Sequence, residues 1–201
     1  MIRLLFAASD AKFDDVRFNV SQWAAPTWTG NTTIQWGPVF KATTPHGKLP
    51  VLQVGDVKLS QSRAIERYVA AHHGLFGAAL VEAALIDATC ELVRELAEPM
   101  FDTFPLARDL QPAARARVIA DAAPKLALFE KQLGAHAFLV NDRLSLADLS
   151  LFNLLHDLYK AADAAAYSAT VPQSLQALVE RVAAVPTVAA YLAARPKRPI
   201  A

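Results

Sequence analysis

Three places in the sequence combine residue types that bind or transform small molecules. The first is Gly47-Lys48-Leu49-Pro50-Val51-Leu52, followed by Leu59-Ser60-Gln61-Ser62-Arg63-Ala64-Ile65. Gln61 and Ser62 begin a helix, where free backbone amides and the positive end of the dipole favour an anion. The plainer reading of Ser60 or Ser62 is a helix cap. The second place is the punctuated stretch that holds Trp36, Lys41 and, after it, Lys48. By residue type alone Trp36 reads as packing under a loop and both lysines as solvated surface, although a cation at Lys48 could pair a carboxylate as a flexible point charge. The third lies in a helical pattern. Glu91 by itself reads as an exposed helix charge. Met100, Phe101 and Phe104 follow Pro99 and could line an apolar pocket, although aromatics so spaced more often form core.

The remaining reactive side chains point to little chemistry. Cys90 sits inside the helical pattern Ile86 to Leu92 and reads as a packed thiol rather than a nucleophile. As the one cysteine it excludes an intrachain disulfide and suits a reducing compartment. His46, His72 and His73 make no metal spacing, so no metal is expected. His72 and His73 close a helix, where imidazolium suits the dipole.

The elements that must position these residues change character near residue 75. Residues 2–9 predict a short helix. Val16, Phe18 and Val20 alternate with Arg17 and Asn19, a half-buried strand. Residues 21–47 carry Pro26, Gly30, Gly37, Pro38, Pro45 and Gly47 and read as irregular surface. Val51 to Val54, Gly55-Asp56 and Val57 to Leu59 predict a hairpin with a two-residue loop. Residues 61–73 predict a helix stopped by Gly74. Beyond residue 78 the period is helical. Val81, Leu85, Ala88, Leu92 and Leu96 share one face, as do Val118, Ala122, Leu126, Phe129 and Leu133 ahead of Gly134. Pro99 and Pro124 are expected to kink these helices. Ser145-Leu146-Ala147-Asp148 is a capping signature before a segment, Leu149 to Tyr159, apolar almost all round and so a buried central helix. Two short helices are expected near 173–184 and 187–194.

Composition bounds the function class. An apolar share of 54% with 19% charged residues excludes a disordered chain, and a net charge of +1 gives no nucleic-acid footprint. No apolar run reaches the ~20 residues of a membrane span, and the first residues do not read as a secretion signal, so a cytoplasmic protein is expected.

The stretches around Leu49-Pro50 and Gln61-Ser62 resemble the glutathione-binding stretch of cytosolic glutathione transferases, most like the sigma-like members of the alpha/mu/pi/sigma group. Asp142-Arg143-Leu144-Ser145-Leu146-Ala147-Asp148 is similar to the helix-start motif of that family's second domain. The ending Tyr191-Leu192-Ala193-Ala194-Arg195-Pro196 matches the usual close. The resemblance covers essentially the whole chain. It implies an α+β thioredoxin-like N-terminal domain over 1–74, lacking its first strand, and an all-helical bundle over 78–201.

The resemblance also implies roles. Glutathione, an anionic tripeptide with an extended backbone, would pair its cysteinyl unit with the strand edge at Leu49, beside a cis Leu49-Pro50 bond. Gln61 and Ser62 would take the γ-glutamyl end. Trp36, Lys41 and Lys48 would hold the glycyl end. Trp36 and Lys41 are five apart where the family has four, and Lys48 stands where the family often has Gln. Glu91 would reach the γ-glutamyl amine of the partner in a homodimer. Met100, Phe101 and Phe104 would face a small apolar electrophile. The family's catalytic Tyr is expected before the position of Met1, because Met1-Ile2-Arg3-Leu4-Leu5-Phe6 already matches its first helix. Two functions follow: conjugation of glutathione to apolar electrophiles, with isomerisation of a lipid-like substrate as a variant, or a non-catalytic binding, carrier or structural role.

Overall fold

The computed structural model describes residues 1–17 and 43–196. The expected strand at 16–20 lies outside them apart from Val16 and Arg17, which have no regular structure, and so do residues 21–42 with Trp36 and Lys41. Helix α1, Ile2–Ala8, buries Leu4, Leu5 and Phe6. Strands β1, Val51–Val54, and β2, Val57–Ser60, pair antiparallel with Val51 opposite Ser60 and Val54 opposite Val57. Gly55 turns the hairpin at φ +57, and a Cβ there would meet nothing within 4 Å, so backbone conformation rather than space selects glycine. Among the described residues β1 and β2 form one two-stranded sheet.

Helix α2, Ser62–His72, lays Ile65, Val69 and Ala70 into the core. It ends where Gly74 adopts φ +72 and Leu75 N–H turns back onto the Ala70 carbonyl at 2.7 Å. Helix α3, Leu80–Phe101, follows, with Pro99 inside its last turn. Arg67 of α2 joins the two, donating to Asp87 at 2.6 Å and Glu91 at 2.8 Å. Of the expected stripe on α3 only Leu96 is buried. Ile86, Thr89, Cys90, Val93 and Met100 make the inward face instead, while Leu80, Val81 and Leu85 remain exposed. Helix α3 therefore carries two apolar stripes, one toward the core and one outward.

Helices α4, Gln111–Asp121, and α5, Ala123–Leu133, are separate. Pro124 was expected to kink one helix, and it stands in the first turn of the second, where its missing N–H costs nothing. The expected face is inward: Ala122, Leu126, Phe129 and Leu133 are buried. Helix α6, Leu146–Phe152, carries the predicted capping box. Asp148 accepts from Ser145 N at 2.9 Å, Ser145 Oγ at 2.8 Å and Leu139 N at 2.8 Å. Burial pushes its carboxyl up, and the three hydrogen bonds oppose that rise. The central element continues as a π-helical stretch, Asn153–Lys160, with the Tyr159 hydroxyl donating to the Leu96 carbonyl at 2.9 Å. Helices α7, Ala164–Thr170, α8, Gln173–Ala183, and α9, Pro186–Ala194, close the bundle, and α7 is an element the sequence reading lacked. Its start is capped by Asp163, which accepts from Ala165 N and Ala166 N, a signal present in the sequence.

A short link joins the hairpin half to the bundle: Leu146 N donates to the Leu75 carbonyl at 2.8 Å. Helix α1 also packs on α9, so the first and last helices share one core. Among the described residues no single helix is long and apolar enough to cross a membrane.

Candidate functional site

Two backbone features meet where β2 hands over to α2. The Leu49–Pro50 peptide bond is cis, as expected. Gln61, at the N-cap of α2, has φ +72 and ψ 111, a conformation unfavourable for any residue but glycine. Its side chain makes no cap hydrogen bond, so Gln61 leaves the first amides of this 11-residue helix uncapped by itself. That disposes of the plain capping role for Ser60 as well, because its hydroxyl is bonded to His46 Nδ1.

Leu49, Pro50 and Ser62 line one cleft of about 1080 Å³, floored by Phe6, Leu52 and Ile65. Glu66 also lines it, and burial pushes its carboxyl up. The cleft thus joins an apolar floor, a strand end and a helix N-terminus, an arrangement suited to a ligand with a peptide backbone and a terminal carboxylate. Lys48 is exposed on the segment leading into Leu49.

The other sequence candidates stand apart from this cleft. Glu91 is engaged within its own chain: Arg94 donates to it at 2.7 Å and Arg67 at 2.8 Å, with Arg63 at 3.8 Å. The Arg94 hydrogen bond leads in holding its carboxyl below the usual range. Met100 is fully enclosed at 0% exposure, whereas Phe101 and Phe104 are open and meet edge to face at 5.7 Å. Behind Phe104 lies a buried polar cluster that the sequence reading missed. Arg115 sits over the Phe104 ring at 5.4 Å and donates to Gln111 at 2.9 Å, and Gln111 in turn holds the Phe104 and Leu106 carbonyls. A cation and an amide on one face of α4, four residues apart, were the available signal. Cys90 is packed beside Ser150, and burial pushes its thiol up to about 12, which makes it a poor nucleophile. Among the described residues no three potential ligands gather around a point suited to a metal.

Comparison with known proteins decides the family. The family model "Glutathione S-transferase, N-terminal domain" matches residues 1–71, and "Glutathione S-transferase, C-terminal domain" matches 99–195. Hematopoietic prostaglandin D synthase of Gallus gallus is 32% identical over 206 residues, covering 98% of this chain and 91% of that protein. The chain belongs to the glutathione S-transferase family. Its fold is accordingly the transferase one, a thioredoxin-like N-terminal part followed by an all-helical domain. Among solved structures, rat hPGDS complexed with a quinoline aligns with a TM-score of 0.78 and 26% identity, covering 99% of this chain and 92% of that one. Monomeric Na-GST-3 of Necator americanus shares the transferase fold with a TM-score of 0.76 at 23% identity, covering 98% and 92%.

Proposed function

We propose that this transferase-family chain binds glutathione across the Leu49 strand end and the start of α2, and directs its thiolate at small apolar electrophiles. The observation that carries the reading is Gln61, held at φ +72 at the N-cap of α2 with no cap bond from its own side chain, whose neighbour Ser62 lines the same cleft as Leu49. Backbone strain of this kind is worth ~1–3 kcal/mol and persists where the surroundings enforce it. Gln61 and Ser62 receive the γ-glutamyl end in this reading. Leu49, next to Pro50, offers its backbone to the cysteinyl unit. Trp36 and Lys41, outside the described residues, hold the glycyl end with Lys48. Phe101 and Phe104 supply the open apolar surface for the co-substrate, with Met100 packed beneath them. A lipid-like co-substrate is a variant suggested by the name of the chicken relative.

The proposal extends to a homodimer. Leu80 at 91% exposure and Val81 at 73%, with Leu85 one turn on, make an uncovered apolar stripe on α3. Glu91, from the same helix, then approaches the partner's glutathione, and its own arginines hold it ionised for that task.

A second reading, glutathione binding without turnover, has its own support. Tyr159 gives its hydroxyl to the Leu96 carbonyl and, like Tyr68 and Tyr167, does not line the cleft, which leaves Tyr191 as the one tyrosine in its lining. One experiment separates the two: calorimetric titration with glutathione beside a conjugation assay using an activated aromatic chloride. Binding with turnover supports the enzyme. Binding without turnover supports the carrier, and no binding overturns both.

A further inference from the structure

The hydrogen bond between His46 Nδ1 and the Ser60 hydroxyl connects the two halves of the proposed site at their roots. His46 lies two residues before Lys48 and three before Leu49. Ser60 ends β2, immediately before Gln61. The segment that carries His46 is a tight turn. Gly47 N–H donates to the Thr44 carbonyl at 3.4 Å, and Gly47 takes φ +63 to leave the turn. Pro45 occupies the second position, where its fixed φ suits a turn.

A second bond anchors the same turn to the same strand. Lys58 Nζ donates to the Thr43 carbonyl at 3.0 Å. Lys58 and Ser60 are two residues apart on β2, so they project from one face of the strand. Together they tie residues 43–46 against the hairpin. Lys58 and His46 are both exposed, so the Lys58 bond contributes little and the His46 bond is anchored from the Ser60 side, where the residue is 8% exposed and its hydroxyl needs a partner.

We infer that His46 and Ser60 act as a positioning pair, fixing the distance between the Leu49 backbone and the Gln61-Ser62 helix start so that both engage one tripeptide at once. The inference rests on the glutathione reading above. Neither side chain touches the ligand in this account. His46 sets where Leu49 stands, and Ser60 sets where the α2 N-terminus begins. A ligand held at two points gains from that fixed spacing because the ordering cost is met before binding. The role differs from packing in being specific to glutathione: the aromatic surface at Phe101 and Phe104 lies outside the cleft that Leu49 and Ser62 share.

The test uses the whole chain with glutathione as the probe. Ser60→Ala and His46→Ala are each expected to weaken calorimetric glutathione affinity about tenfold, the scale of one hydrogen bond. The double variant is expected to be no weaker than the worse single one, because both remove the same bond. Ser60→Thr, which keeps the hydroxyl, should return affinity to within about twofold of the parent. KM for glutathione should rise while KM for the electrophile and kcat stay level. Hydrogen exchange on the unliganded Ser60→Ala variant should quicken over 43–50 and hold steady over 80–194, which shows that the fold is intact. Additive losses, unchanged affinity, or equal loss for both substrates overturns the positioning role and leaves the glutathione reading standing. A parent protein that takes up no glutathione overturns the reading of the site and the pair together.

Discussion

Arg195 closes on Asp157 with two hydrogen bonds, Nη1 to Oδ2 at 2.8 Å and Nη2 to Oδ1 at 2.6 Å. The contact fastens the end of α9 to the π-helical stretch of the central element. Burial alone would raise the Asp157 carboxyl, but the bond from Arg195, with a smaller one from His156, holds it at about 2. The folded value is therefore below the unfolded one, so the stabilisation is present above pH ~4 and lost as pH falls through about 2. Replacing Arg195 with Ala should cost about 2 kcal/mol near neutrality. In urea titrations the gap from the parent should close between pH ~4 and ~2. A gap that stays constant over that range would show that Arg195 stabilises by packing alone.

Asp148 is expected to be the more damaging loss. At 0% exposure it serves three donors from two segments, Ser145 and Leu139. Asp148→Ala leaves buried amides without acceptors and should lower stability by ~3 kcal/mol. Asp148→Asn keeps one acceptor and should cost less. Equal midpoints for the two variants in guanidinium unfolding would contradict this account of the capping box.

Gln61 separates stability from binding. Replacement by Gly relieves φ +72 and should raise stability by about 1 kcal/mol, net of the greater chain entropy of glycine. The same variant should bind glutathione more weakly, since it loses a side chain proposed to meet the γ-glutamyl end. Thermal unfolding and calorimetry on one preparation check both signs. A variant that is both less stable and equally tight would refute the assignment.

The outward stripe of α3 makes the assembly testable. Leu85, 52% exposed, lies on the face proposed to pair two copies. Leu85→Glu should shift the sedimentation mass from two chains to one while helical circular dichroism is retained, because the residue contributes little to the core of a single chain. A parent protein that already sediments as one chain removes the homodimer.

Much of this protein was fixed by local sequence. Hairpin, α2 and the bundle helices follow from period, from Gly55, Gly74 and Gly134 as stops, and from the Ser145-Asp148 pair, because each signal acts within a few residues of itself. The resemblance at Leu49-Pro50 anticipated the cis bond and, with Gln61-Ser62, pointed to the site proposed above. What sequence could not give was decided by contacts between distant residues. Which of two apolar stripes on α3 faces inward depends on where α6 lies, so Ile86 and Val93 are buried and Val81 is not. Pro124 stands in the first turn of α5, and Ala122, at φ −74 and ψ −17, is the single residue between α4 and α5, so where the run breaks is a matter of one residue around the proline. The Arg63 and Arg67 partners of Glu91, the stacking of Arg115 on Phe104 and the bond from His46 to Ser60 all span loops or separate elements, whereas Arg94 meets Glu91 within one helix at i,i+3. Their energy depends on distances that no spacing along the chain encodes, so tertiary structure alone sets which charged and polar groups meet.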